Sequence, residues 1–347
     1  MAEHVEAKLK PRTIDEYQKL ARNHVIPSLG KLPITDVTRA DIVTLHHKLK
    51  GTPYLANRVL ALLSKMFNKA EQWGVRTDGS NPCHHVERYR EPRRERFLNN
   101  AELAALGGAL SAMVREQKAP ASSIAAIRLL IFTGARKEEI IGLRWDHVDF
   151  EAGLLRLPDS KSGQKTIVLG PPALEVLQNL PRIDGNPFVI TGSVPGQNLR
   201  GLQKVWERVR PRATLTIWQT AEPAKGIIDQ LEAKLDRDPT YLEITDAAEK
   251  ASVTLPVGLS NVRLHDLRHS FASVGAGAGL SLPMIGKMLG HSQAATTQRY
   301  AHMADDPLRS SVNAVSSRIA DAMSGGLSGN SDGGESNITK PQRLKLV

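Results

Sequence analysis

The chain has 347 residues, with 46 Lys and Arg against 36 Asp and Glu, a formal charge of +10, and 41% hydrophobic residues. That length accommodates two domains with packed cores, the hydrophobic content excludes wholesale disorder, and the cationic excess points first to a polyanionic partner. The single cysteine, Cys83, excludes an intramolecular disulfide and a cysteine-built metal site. No run of about 18 apolar residues is present to span a membrane. The opening segment MAEHVEAKLK is too polar for a signal peptide. The expected setting is cytoplasmic, with no membrane contact.

The first ninety residues predict helices. Thr13 to Glu16 has the pattern of a capping box, with Ile14, Tyr17, Leu20 and Ala21 at helical spacing. Thr38 to Asp41 offers a second helix start, with Ile42, Leu45 and Leu49 facing inward. A third helix is expected from about Tyr54 to Trp73, burying Val59, Leu63, Met66, Phe67 and Ala70. On it, Arg58, Lys65 and Lys69 fall within about 40° of one another, beside the apolar stripe. They form either a solvated face or a track for phosphates. From Glu87 to Arg96 apolar periodicity is lost, Pro92 intervenes, and five arginines stand against three acids. This reads as an exposed linker, in which Arg93 and Arg94 are candidates to lie along a phosphate backbone. The expected division is a helical domain over 1–90, linker over 91–96, and a second domain over 97–323.

In that second domain Asn99 or Asn100 is placed to cap a helix through Leu110, and Ser122 to Thr133 continues the helical pattern. Leu154 to Leu157 and Thr166 to Leu169 read as strands, joined through the polar turn PDSKSGQK into a β-hairpin. Helical segments resume near Ala173, Leu199 and His265. The fold class is mostly α with a small β-sheet. From Ala213 to Leu259 eight acids face four bases, a net −4 in a chain of +10, with helical patches at 227–235 and 245–250. The tail over 324–347 is rich in Gly, Ser and Asn and is expected to be disordered.

Some motifs are decoys. Gly275, Gly277 and Gly279 follow a helical segment, where a dinucleotide fingerprint would have to follow a strand and open a helix. Ser162 to Thr166 lacks the spacing of a P-loop. The adjacent ligands in His46-His47 and Cys83-His84-His85 do not readily close on one metal. No metal, nucleotide or other cofactor is expected.

A cluster of cations and imidazoles remains. Arg136 ends one helical run in TGAR, with Glu139 three residues beyond. Lys161 sits in the hairpin turn, and Lys165 lies in the same hairpin. His265 and Arg268 share a helix face at i and i+3, with His269 next to them. His291 follows in LGH, and Tyr300 comes nine residues later in TTQRY. The spacing R-x-x-E, H-x-x-R, LGH and R-Y, in that order, resembles the tyrosine recombinases, or phage-type integrases, over nearly the whole chain.

The resemblance implies a helical, SAM-like core-DNA-binding domain followed by a mixed α/β catalytic domain. It implies a site-specific recombinase that clamps duplex DNA between its halves, assembles as a homotetramer on paired sites and integrates or excises a mobile element. An accessory DNA-bending factor is among the partners it allows. By the same resemblance Tyr300 is the nucleophile that forms a 3′-phosphotyrosyl bond, and Arg136 and Arg268 neutralise the phosphorane. Lys161 protonates the 5′-oxygen, His265 assists the tyrosine proton transfer, and His291 donates to a non-bridging oxygen. Glu139 and His269 support these groups. Two other readings fit the composition: a type IB topoisomerase-like enzyme, and a non-catalytic DNA-binding or architectural protein that keeps the fold.

The family departs from this chain at two points. The 213–259 stretch exceeds the usual connection, so it is expected to project away from DNA toward a neighbouring subunit or another protein, or to be a tolerated surface insert. The additional N-terminal arm-binding domain of many integrases is not expected here, consistent with simple sites or a truncated form.

Overall fold

The computed structural model describes residues 11–303 apart from Arg93, Lys161, Ser162 and Ser292. The chain divides into two compact units, Met1–Glu95 and Arg96–Val347.

In the first unit, α1 (Pro11–Leu20) passes through a π-helical turn at Ala21–Val25 into α2 (Ile26–Leu29). The predicted capping box at Thr13 is not a helix start, because Pro11 is already helical and its fixed φ suits a first turn. At α3 (Arg39–Lys48) the cap forms as expected. The Thr38 hydroxyl accepts from the Asp41 N–H at 3.4 Å, and the Asp41 carboxylate accepts from the Thr38 N–H at 2.9 Å. Helix α4 (Pro53–Gln72) places Val59, Leu63 and Phe67 against Ile42 and Leu45, while Met66 stays half-buried.

The segment predicted as a solvated linker is tied down at both ends. Asn57, a buried amide on the apolar face of α4, donates to the Tyr89 carbonyl and to Glu91, both at 2.8 Å, and accepts from the Tyr89 N–H at 3.0 Å. His46 stacks on Tyr89 with ring centroids 4.3 Å apart. Arg96 belongs to the second unit, where its guanidinium bonds Glu102 and the Gly258 carbonyl.

The second unit opens with α5 (Asn100–Arg115), capped reciprocally by Asn99 and Glu102. Helix α6 (Ala121–Thr133) is apolar around most of its circumference and runs through the core, burying Ile124, Ile127, Leu129 and Leu130. Short α7 (Lys137–Ile141) follows. Strands β1 (Val148–Asp149), β2 (Leu154–Ser160) and β3 (Gly163–Val168) form an antiparallel sheet in that order. The hairpin strands reach further into PDSKSGQK than the apolar pattern predicts. Leu157 pairs with Lys165, and the register shifts between Leu157 and Ser160. Lys165 therefore lies in a strand, on the same inward face as Ile167. Strand β1 went unpredicted because two residues carry no alternation.

Helices α8 (Pro171–Gln178) and α9 (Leu202–Trp218) close the core around Trp206, whose indole N–H donates to the Val262 carbonyl at 2.9 Å. Ala213, expected to begin an insertion, is fully buried inside α9. The inserted helices α10 (Ala224–Leu235) and α11 (Tyr241–Lys250) build a small core with Trp218, Ile228 and Ile244. Trp218 stacks on Tyr241 at 4.9 Å and donates to the Pro256 carbonyl at 2.7 Å. Helix α12 (Asp266–Gly277) contains two of the decoy glycines, and α13 (Leu282–Leu289) ends at Gly290. Two 3₁₀ turns follow, Ala294–Thr296 and Gln298–Met303. No helix among the described residues is long and apolar enough to cross a membrane. The tail predicted for 324–347 lies outside the described residues.

Candidate active site

Arg268 is the centre of the site, and the backbone holds it. Its side chain is 4% exposed, yet its guanidinium donates to the Gly134 carbonyl at 2.6 Å and the Leu289 carbonyl at 2.8 Å. Both carbonyls belong to helix C-termini, at α6 and α13, where unpaired acceptors and the negative end of the helix dipole favour a cation. Burial and the Arg136 charge lower the Arg268 pKa to about 10, still far above neutrality. The junction needs glycine. Gly134 has φ +61°, and a Cβ there would meet Phe271 Cδ1 at 2.6 Å and Leu289 Cδ2 at 2.9 Å.

Arg136 caps α7 beside that junction. Glu139 accepts from its N–H at 2.9 Å and from its Nη1 at 2.7 Å, and Glu139 also accepts from Lys165 Nζ at 2.9 Å. Burial alone would raise the Glu139 carboxyl, but the Arg136 N–H and the Lys165 ammonium outweigh it and hold it below the usual range. Lys165 is itself lowered by burial, against the pull of Glu139. Its stem passes under Gly290, where an added Cβ would lie 2.7 Å from Lys165 Cε. Among the described residues this is the lysine that the hairpin delivers to Arg136 and Glu139. Lys161, the lysine expected in that place, lies outside the described residues.

His291, just after Gly290, shares a hydrogen bond of 2.8 Å between its Nδ1 and the buried Thr297 hydroxyl. Burial, then the Arg268 and Arg136 charges, push its pKa down to about 4. Tyr300 is 3% exposed, packed on Ala272, Ile285 and Leu289. Burial raises its phenol, opposed by the charges of Arg299 and Arg268.

One imidazole stands on that phenol. His269 Nδ1 stands 2.7 Å from the Tyr300 hydroxyl, whereas His265, the residue expected to assist the tyrosine, is the N-cap of α12. His265 meets His269 edge-on at 5.0 Å. His269 is therefore the imidazole in direct contact with Tyr300. Residue spacing along α12 puts both imidazoles near Arg268, but only the packing of the Gln298–Met303 turn decides which one reaches the phenol.

The site thus gathers Arg136, Lys165, His291 and Tyr300 from separate elements beside His265, Arg268 and His269 of α12, with the buried Glu139 carboxylate joining Arg136 to Lys165. Arranged so, the cations can neutralise an anion while Tyr300 attacks it. The candidate phosphate track of the first unit is engaged locally. Arg58 pairs with Glu16, Lys65 lies 5.3 Å from the centroid of the Tyr17 ring, and Lys69 Nζ donates to Gln72 at 2.5 Å. Arg94 is exposed, and Arg93 lies outside the described residues.

Comparison with known proteins agrees with the fold. The chain is 32% identical over 195 residues to the shufflon-specific DNA recombinase of Escherichia coli, across 51% of this chain and 48% of that protein. It spans about half the length of the curated relatives it matches. Its fold resembles that of the Tn1549 transposon integrase in complex with transposon right end DNA, with TM-score 0.61 and 19% identity over 91% of this chain and 98% of that one. It also resembles a lambda integrase tetramer bound to a Holliday junction, with TM-score 0.57 and 17% identity over 84% and 75%. The N-terminal SAM-like domain of phage integrases matches residues 2–50. The phage integrase family itself matches residues 96–306, and the chain belongs to that family.

Proposed function

We propose that this chain is a site-specific DNA recombinase that cuts and rejoins duplex DNA through a 3′-phosphotyrosyl bond on Tyr300, using neither metal nor nucleotide. One observation carries the reading: a buried tyrosine hydroxyl bonded to an imidazole, inside a cluster whose cations are Arg136, Arg268, Arg299 and Lys165. In the reaction Arg136 and Arg268 hold the non-bridging oxygens and offset the charge that builds on phosphorus. His291 donates to one of those oxygens. A lysine of the β2–β3 hairpin, Lys161, protonates the departing 5′-oxygen. Because the phosphotyrosyl bond conserves the energy of the cut, the 5′-hydroxyl can reverse the step on a new partner.

Residues 1–90 bind the core site through Arg58, Lys65 and Lys69, with Arg93 and Arg94 on the backbone beyond. The functional assembly is a homotetramer on paired sites, a reading supported by the lambda integrase tetramer bound to a Holliday junction, and the product is an integrated or excised mobile element. To test the reading, duplexes selected from a random library for binding to the chain are nicked beside the cut site and incubated in EDTA. A covalent protein–DNA adduct with wild type, absent with Tyr300→Phe, is expected. No adduct from wild type, or an adduct persisting in the variant, would overturn it.

A further inference from the structure

We propose that His269 is a further catalytic residue, whose Nδ1 takes the phenolic proton of Tyr300 as that oxygen bonds to phosphorus. This deepens the recombinase reading and rests on Tyr300 as nucleophile. The 2.7 Å contact is within the reach a general base requires, and it joins the base directly to the atom that attacks. The two rings lie 6.1 Å apart and inclined by 49°, so they meet by hydrogen bond and not by stacking. Helical geometry turns residues 268 and 269 about 100° apart, so α12 gives Arg268 to the junction with Gly134 and Leu289 and His269 to the tyrosine turn.

The step balances. The Tyr300 O–H bond breaks and its proton passes to His269 Nδ1, while the O–P bond forms and the P–O5′ bond breaks. The hairpin lysine protonates the 5′-oxygen. In rejoining, the imidazolium returns its proton to the departing phenolate.

The charged and titratable groups facing His269 are His265, Asp266 and Arg268 on its own helix, and Arg299 and Tyr300 on the turn packed against it. Burial, then His265 and Arg299, lower its pKa to about 4, with Asp266 opposing them. Near neutrality the ring is uncharged and has a lone pair to offer. It is also a weak base against a phenol raised above its ordinary value, so transfer is steeply uphill in the free protein. A phosphate seated among the arginines offsets the cations that depress His269, which strengthens the base when substrate is in place.

The test uses the nicked duplex in EDTA with wild type, Tyr300→Phe, His269→Asn and His269→Ala. Asparagine places a polar atom where Nδ1 was and so keeps a hydrogen bond to the phenol without a basic nitrogen; alanine removes the side chain. The expected result is a loss of roughly 10² to 10⁴-fold in adduct rate for both histidine variants, with DNA binding retained. Wild-type cleavage falls toward acid pH, and that limb is lost in His269→Asn. A duplex with a 5′-bridging sulfur, whose leaving group needs no proton, rescues Lys161→Ala but not His269→Asn. His269→Asn cleaving within threefold of wild type, keeping the acid limb, or being rescued by the sulfur substrate overturns the proposal for His269 while leaving the nucleophile intact. Failure of the wild type to form an adduct overturns the recombinase reading instead.

Discussion

Around Arg268, charge is buried and held by fixed partners. Two helix-end carbonyls grip the guanidinium, and Glu139, with its side chain 6% exposed, joins Arg136 to Lys165. Around the inserted helices α10 and α11 most charges lie toward solvent, and Arg237, between the two helices, pairs with Glu243 at 2.6 Å. There the apolar contact of Trp218 with Tyr241, Ile228 and Ile244 holds the element together. One region fixes its geometry with buried charge, the other with an apolar core and a few neutral hydrogen bonds. Substitutions should separate the two.

The sharpest separation comes from Arg268→Lys. The charge stays, but the planar fork that spans Gly134 and Leu289 is lost. Adduct formation on the nicked duplex should fall by about 10³-fold, with binding changed by no more than a few fold. Equal losses in binding and cleavage would mean that Arg268 serves as a general cation and not a positioned one. Trp218→Ala should act in the opposite manner, with cleavage within threefold of wild type. Removing the buried indole should cost about 3 kcal/mol in urea unfolding, localised to α10 and α11 by amide exchange. Cleavage lost together with the insertion would tie the two regions into one device.

Glu139→Gln leaves Lys165 buried without its anion and should cost roughly 3 kcal/mol of stability. Its adduct rate should fall as well, since Arg136 loses the carboxylate that orients it. A pH series probes the same cluster. His269 and His291 titrate near 4 when folded against an ordinary value of 6.5. The unfolded chain therefore binds more protons between those limits, and stability is lost as pH falls from about 6.5 toward 4. A double His269→Asn, His291→Asn variant should flatten the urea midpoint across that window. At the small end, Arg237→Ala removes only an exposed pair and should leave the melting temperature unchanged within error.

Much of this was legible because local chemistry decided it. Thr38 with Asp41, and Asn99 with Glu102, are caps written in local sequence, although the same pattern at Thr13 to Glu16 yields to a helix already begun at Pro11, and TGAR announces a helix end at a glycine that adopts positive φ. The order of Arg136, His265, Arg268, His291 and Tyr300 was legible as a family pattern, although no periodicity dictates it. What was hidden depends on tertiary packing. The pairing of Leu157 with Lys165 carries β3 back into PDSKSGQK and turns Lys165 to the inward face beside Ile167, and no apolar alternation in that stretch reports it. Asn57 looks like a polar interruption of α4 until Tyr89 and Glu91 arrive from more than thirty residues away. The same holds for His269, which the i, i+3 argument passed over because its partner lies on a different element.

The grip on Arg268 has a mechanical consequence. One side chain is shared between the ends of α6 and α13, and α13 runs directly into His291 and the turn that carries Tyr300. An anion drawing on the same guanidinium loads both helix ends at once, so the seating of a ligand and the stiffness of that junction are reciprocal quantities. Arg268 is thus a strut as much as a charge, tying the end of α6 to the end of the helix that leads into the turn of Tyr300.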